Sequence, residues 1–199
     1  MSWTVIVTDA FGALTNSEIE QNALLIRQYL MDHGWSQAAA AGVVGNAEAE
    51  SQMNPGQAEN GYGVPYNDTD VSFRGGLGLV QWTPNDPADD HPLIKYAMDH
   101  NSVWTNPTLQ LKYIMDPVHW MGGPLYPFAV YGLLRDSNKA GYDYAQYYVV
   151  PPGGDATYRY RASLADKWME FFDDHPYIPL PLLLIVCVIK KLRQRRLNQ

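Results

Sequence analysis

Glu48 and Glu50 stand two residues apart in Gly45-Asn46-Ala47-Glu48-Ala49-Glu50-Ser51-Gln52-Met53-Asn54-Pro55. The segment reads as the last turn of a helix stopped by Asn54-Pro55-Gly56. Negative charge at a helix C-terminus is opposed by the macrodipole, and burial there raises a carboxylate's pKa further. A carboxyl group kept protonated near neutral pH is a general acid, the proton donor that glycosidic cleavage requires. The plain alternative is a solvated helix end with two surface glutamates.

The helix that would carry these acids begins after Ser36 and runs from Gln37 to about Ser51. Its residues are almost all Ala, Gly or Val, so neighbours can approach it closely on most sides and it belongs at the centre of a core. Before it, Ser17 and Glu20 have capping-box spacing for a helix that ends at His33-Gly34, with Ile19, Ala23, Ile26 and Leu30 on one face. Residues 1–14 read as an extended lead-in, with Trp3, Val5 and Val7 alternating as in a strand.

From Gly56 to Gly78 turn chemistry takes over: Asn60-Gly61, Tyr62-Gly63, Pro65, Asn67-Asp68 and Gly75-Gly76. This predicts a small, irregular β-flap closed by Leu77-Gly78-Leu79-Val80-Gln81-Trp82-Thr83-Pro84. Helical patterns follow over 93–99, 108–120, 126–134, 139–148 and 157–172, the last with Tyr160, Leu164, Trp168 and Phe172 at near-helical spacing. The predicted class is α+β, mostly α, with a flap beside one central helix. The predicted organisation is a lead-in over 1–14, a folded domain over 15–174 and a tail over 175–199.

In the tail, Ile178–Ile189 is a run of 12 uncharged, strongly apolar residues followed directly by Lys190-Lys191-Leu192-Arg193-Gln194-Arg195-Arg196. Twelve helical residues reach about 18 Å, short of the ~30 Å hydrocarbon core, but snorkelling lysines extend the reach. A C-terminal membrane anchor or membrane-inserting peptide, contacting the membrane through residues 178–196, is the preferred reading, and packing in an assembly is the alternative.

Composition narrows the function classes. All 21 acidic residues but only nine of the 14 basic ones precede Lys190, so the body is strongly acidic and nucleic acid is not the expected partner. Cys187 is the single cysteine, which excludes an intramolecular disulfide framework and a cysteine-based zinc site. The five histidines lack metal-ligand spacing, and neither a phosphate-binding Gly loop nor a G-x-S-x-G elbow is present. No metal and no cofactor is expected. Fourteen Tyr and 6 Trp suit a sugar-handling surface and a packed core equally. The first residues lack a basic stretch and a long apolar run, so no cleavable signal peptide is expected.

Two spaced segments, Gly45-Asn46-x-x-x-Glu50-Ser51-x-x-Asn54-Pro55 and Gly76-x-Gly78-Leu79-x-Gln81-Trp82-Thr83, resemble the phage tail lysozyme family. They are also similar to soluble lytic transglycosylases and goose-type lysozymes. The likeness covers about residues 16–172. It implies a lysozyme-like fold and cleavage of the β-1,4 bond between N-acetylmuramic acid and N-acetylglucosamine in bacterial peptidoglycan. It also implies a virion location, in a phage tail or virion membrane, among other virion proteins. Carried over by position, Glu50 is the general acid, Ser51 supports it or meets substrate, Gln81 bonds the sugar or holds the flap against Glu50, and Trp82 faces the sugar. For Trp82 core packing is the competing reading. A second carboxylate would come from Glu59, Asp68 or Asp70, each of which is also an ordinary turn residue. Where family members often carry Tyr-Glu-Arg-Pro, this chain has Tyr148-Val149-Val150-Pro151. The rival functions are a non-catalytic glycan-binding or structural virion protein, and a membrane-inserting tail protein.

Overall fold

The computed structural model describes residues 2–121 and 126–177. Helix α2, Gln37–Ser51, runs through its centre, and every residue from Ala38 to Ala47 is buried. Ser36 caps it as expected, its hydroxyl accepting from the Ala39 N–H at 3.0 Å. The small side chains bring two later helices, α5 (Ser137–Tyr144) and α6 (Gly154–Asp173), against it. A Cβ at Gly45 would lie 2.6 Å from Ala165 N, and one at Gly42 would lie 2.5 Å from the Tyr131 hydroxyl oxygen. Those two positions need glycine for the packing to exist.

Helix α1, Asn16–Asp32, buries Ala23, Ile26 and Leu30 on the predicted face. Its capping box opens two residues before the expected Ser17. Thr15 N donates to Glu18 Oε2 at 2.8 Å and Glu18 N to Thr15 Oγ1 at 3.4 Å, a register that buries Leu14. In α6 the buried stripe is Arg161, Ala162, Ala165, Trp168 and Phe172. The expected line through Tyr160 shifts, and Tyr160 is 57% exposed.

Helices α3 (Pro92–Asp99) and α4 (Pro107–Met115) form a smaller core with Phe73 and Leu77 of the flap. Asn106 caps α4 as predicted, but the helix stops at Met115 instead of Trp120. Pro117 forces Asp116 out of the helical region, to ψ 117. In place of the helix predicted over 126–134 stand a wide turn, Tyr126–Val130, and a tight one, Tyr131–Leu133. Tyr131 is fully buried there, its hydroxyl donating to the Ala39 carbonyl at 2.9 Å. Helix α5 likewise gives way after Tyr144 to a wide turn, Ala145–Val149.

The flap contains no strand ladder among the described residues. Its pairings are isolated bridges, Ala58 with Leu77 and Leu77 with Trp82. Gly61, Gly63 and Gly78 turn the chain there at positive φ. In the lead-in, residues 2–7 carry no regular element, Thr8 makes a parallel bridge to Gln57, and residues 9–12 bend and turn where an extended segment was expected. The expected membrane-contacting tail over 178–196 lies outside the described residues. Among the described residues no helix is long and apolar enough to cross a membrane.

Candidate active site

The end of α2 is an unusual helix exit. Gln52 and Met53 both sit in the left-handed region, at φ 50 and φ 62, with no glycine to ease them. Each such residue costs on the order of 1 kcal/mol and persists where the surroundings hold it. Here Met53 is fully buried, and its N–H reaches back to the Ala47 carbonyl at 3.3 Å. This turn fixes the residues just before it, Glu50 and Ser51.

Glu50 faces a cleft of about 520 Å³ whose lining includes Glu59, Gln57, Gln81 and Arg161. Only 18% of its side chain stays exposed. Arg161 Nη2 donates to Glu50 Oε1, and Arg161 Nη1 donates to Asn46 Oδ1 at 3.2 Å. Asn46 in turn donates to the carbonyls of Gly42 (2.9 Å) and Gly141 (3.0 Å), tying the pair to α2 and α5. Burial raises the Glu50 pKa above the ordinary carboxylate value. Arg161 pulls it back by charge and hydrogen bond, and Glu59 adds a smaller push upward. Desolvation outweighs the cation.

Glu48, two residues earlier on α2, is used differently. Its two oxygens accept from Lys167 Nζ and Trp168 Nε1, both at 2.6 Å, and it lines a separate pocket. Ser51 is 1% exposed, and its hydroxyl donates to Leu79 O at 2.9 Å and Ala47 O at 3.2 Å. It therefore pins the flap to α2, and it is not among the cleft-lining residues.

The flap wall is held by side-chain amides. Gln81, at φ 55, lines the cleft and donates to Gly78 O at 3.0 Å and Gln57 O at 3.2 Å. Gln110, fully buried, accepts from Leu79 N at 2.8 Å and donates to Pro55 O and Trp104 O. Glu59 accepts from Gly76 N at 2.8 Å and shares the cleft with Glu50. Asp68 and Asp70 are not among the cleft-lining residues. Asp70 accepts from Ser72 Oγ at 2.6 Å and Tyr66 N at 3.2 Å, which hold its pKa below the ordinary value. Trp82 is half-buried between the two cores, its Nε1 donating to the Tyr148 hydroxyl at 3.2 Å. It lines a smaller cavity of about 210 Å³ that shares Val80, Gln81, Thr83 and Val149 with the main cleft.

The sequence matches the phage tail lysozyme family over residues 21–172. The chain belongs to that family. It is also 33% identical over 108 residues to "Morphogenesis protein 1" of Bacillus phage B103, across 47% of this chain. The chain spans 28% of that relative's length.

Within this phage tail lysozyme domain, sequence reasoning missed Arg161. The signal was present: a cation on the face of α6 that Ala162, Ala165 and Trp168 bury. The Tyr148-Val149-Val150-Pro151 departure also takes shape. Val149, Val150 and Pro151 give the cleft an apolar edge, and Val150 is held at φ 49, a strained value for a β-branched residue.

Proposed function

We propose that the domain is a peptidoglycan glycosidase that cuts the β-1,4 bond between N-acetylmuramic acid and N-acetylglucosamine. Its task is to open the cell wall locally during phage infection, as part of the virion. Family membership supports the wall-degrading role. The observation that carries the chemistry is Glu50, buried in the cleft with its proton affinity raised by that burial.

Glu50 gives its proton to the glycosidic oxygen as the bond to the anomeric carbon breaks. Positive charge then develops on that carbon and the ring oxygen, and an anionic or nucleophilic group must meet it. Arg161 fixes the direction of the Glu50 carboxyl group. Among the three acids considered for the second role, Glu59 lines the cleft. The substrate's own acetamide or 6-hydroxyl is the other source of a nucleophile.

Purified wall sacculi test the reading. Wild type should clear a sacculus suspension, and Glu50→Gln should lose at least about 10²-fold in rate with its fold unchanged. Equal clearing by both proteins would end the proposal. Mass spectrometry of the released fragments then separates a reducing end from a 1,6-anhydro end, which differ by one water.

A further inference from the structure

Residues 2–14 precede the family match, which begins at residue 21, yet they reach the cleft. Polar clamps hold them. Asn22 takes both backbone groups of Thr4, accepting from its N–H at 3.0 Å and donating to its carbonyl at 2.8 Å. Asn54 does the same for Ile6, at 3.1 and 2.8 Å. Thr8 then pairs with Gly56 O at 3.2 Å and Ala58 N at 2.8 Å. Gly56 makes the approach possible, since a Cβ there would lie 2.5 Å from Ile6 O. Asn54 and Gly56 sit in and directly after the motif that ends α2, so one stretch of sequence both positions Glu50 and docks the lead-in.

The docked segment turns at Gly12, φ +85, and sets Phe11 in the cleft lining with Glu50, Glu59 and Gln81. Phe11 remains 52% exposed, and Val5 and Val7 are exposed as well. The segment is thus fastened through its backbone, and the Phe11 ring is free of a folding role. An exposed flat ring beside carboxylate and amide groups matches one face of a pyranose. Its C–H groups pack on the ring while its hydroxyl and acetamide groups reach the polar wall.

We propose that Phe11 contacts substrate directly, as the stacking platform for a pyranose ring of the glycan strand. The proposal rests on the glycosidase reading. The experiment compares steady-state cleavage of glycan strands stripped of stem peptides by wild type, Phe11→Ala, Phe11→Leu, Phe11→Trp and Val7→Ala. Phe11→Ala and Phe11→Leu should raise KM roughly threefold to tenfold with kcat little changed. Phe11→Trp and Val7→Ala should match wild type, and all five proteins should melt within a few degrees of one another. Phe11→Ala equal to wild type would overturn the proposal. So would a Val7→Ala loss as large as that of Phe11→Ala, which would indicate general loosening of the segment. An effect confined to intact sacculi would also overturn it, because the ring would then meet stem peptide. A wild type that binds strands without cutting them would instead defeat the glycosidase reading. Strand affinity would then test Phe11, with weaker retention of Phe11→Ala supporting it and equal retention overturning it.

Discussion

Glu50 and Arg161 face the cleft from α2 and α6, helices locked together where Gly45 meets the backbone at Ala165. Glu59 and Gln81 face it from a flap without a strand ladder, where Gln57, Gln81, Gln110 and His91 satisfy backbone groups one at a time. The helical wall depends on volume, with no room for an added methyl at Gly45, and on the Arg161–Glu50 pair that Asn46 anchors. The flap wall depends on protonation and on individual polar side chains. A glycosidase needs both, a rigid mount for the acid and an irregular wall that can present amides and a carboxylate to a sugar. The difference also says where each wall should fail.

The helical wall should fail most severely at its one buried charge pair. Arg161→Met keeps the apolar stem and leaves Glu50 buried without its cation, a change that costs about 3–5 kcal/mol where the charge is retained. Glu50 escapes part of that cost by taking a proton. Its folded pKa already lies above the unfolded value, and removing Arg161 raises it further. A raised carboxylate pKa contributes stability below the unfolded value and loses it as pH rises through the folded value. Urea unfolding should therefore show a larger deficit for Arg161→Met at pH 8 than at pH 5. A deficit that is small, or equal at the two pH values, would mean that packing alone fixes this wall.

The flap should carry the opposite pH signature. His91 is fully buried, caps α3 by accepting from Ile94 N, and contacts the Gly75 carbonyl through Nε2 at 3.2 Å. Burial lowers its pKa from 6.5 to about 4. As pH falls through 6.5 the unfolded chain gains a proton that the folded chain refuses, so stability declines until about pH 4 and then levels for this group. The full loss is on the order of 3 kcal/mol. His91→Asn keeps an N-cap acceptor and removes the titration. It should be less stable at pH 7 but flatter between pH 6.5 and 4. Parallel slopes for the two proteins would move the acid sensitivity elsewhere.

The same division explains what could be read from the chain. Helix α2 was legible because its cap, its small residues and its stop are local, and the spacing from Glu50 to Gln81 marks the family. Pro117 was legible too, and the predicted helix to Trp120 ignored it. Arg161 stayed hidden because an aromatic line through Tyr160 looked like the buried face, whereas the buried stripe runs through Arg161, Ala162 and Ala165. The flap's turns were readable from its glycines, but its lack of a ladder was not. The partners of Gln110 lie at Pro55 and Leu79 as well as nearby Trp104, and sequence spacing does not assign such bonds. Phe11 escaped for the same reason, since the two asparagines that dock its segment act on backbone groups 18 and 48 residues away.

The smallest expected effect falls where the two walls meet. Glu59 keeps one oxygen on Gly76 N, and its charge is the least of the influences on Glu50. Glu59→Gln preserves an acceptor for that N–H and removes the charge. The Glu50 pKa should then fall slightly, and because Glu50 works protonated, the alkaline limb of kcat/KM should move to lower pH with the maximum little reduced. A second catalytic carboxylate would behave otherwise, since its loss would also depress kcat by orders of magnitude at every pH. The height of the profile therefore separates a carboxylate that only tunes Glu50 across the cleft from one that meets the cationic centre. It also decides whether the flap supplies chemistry or only the field in which the helical wall performs it.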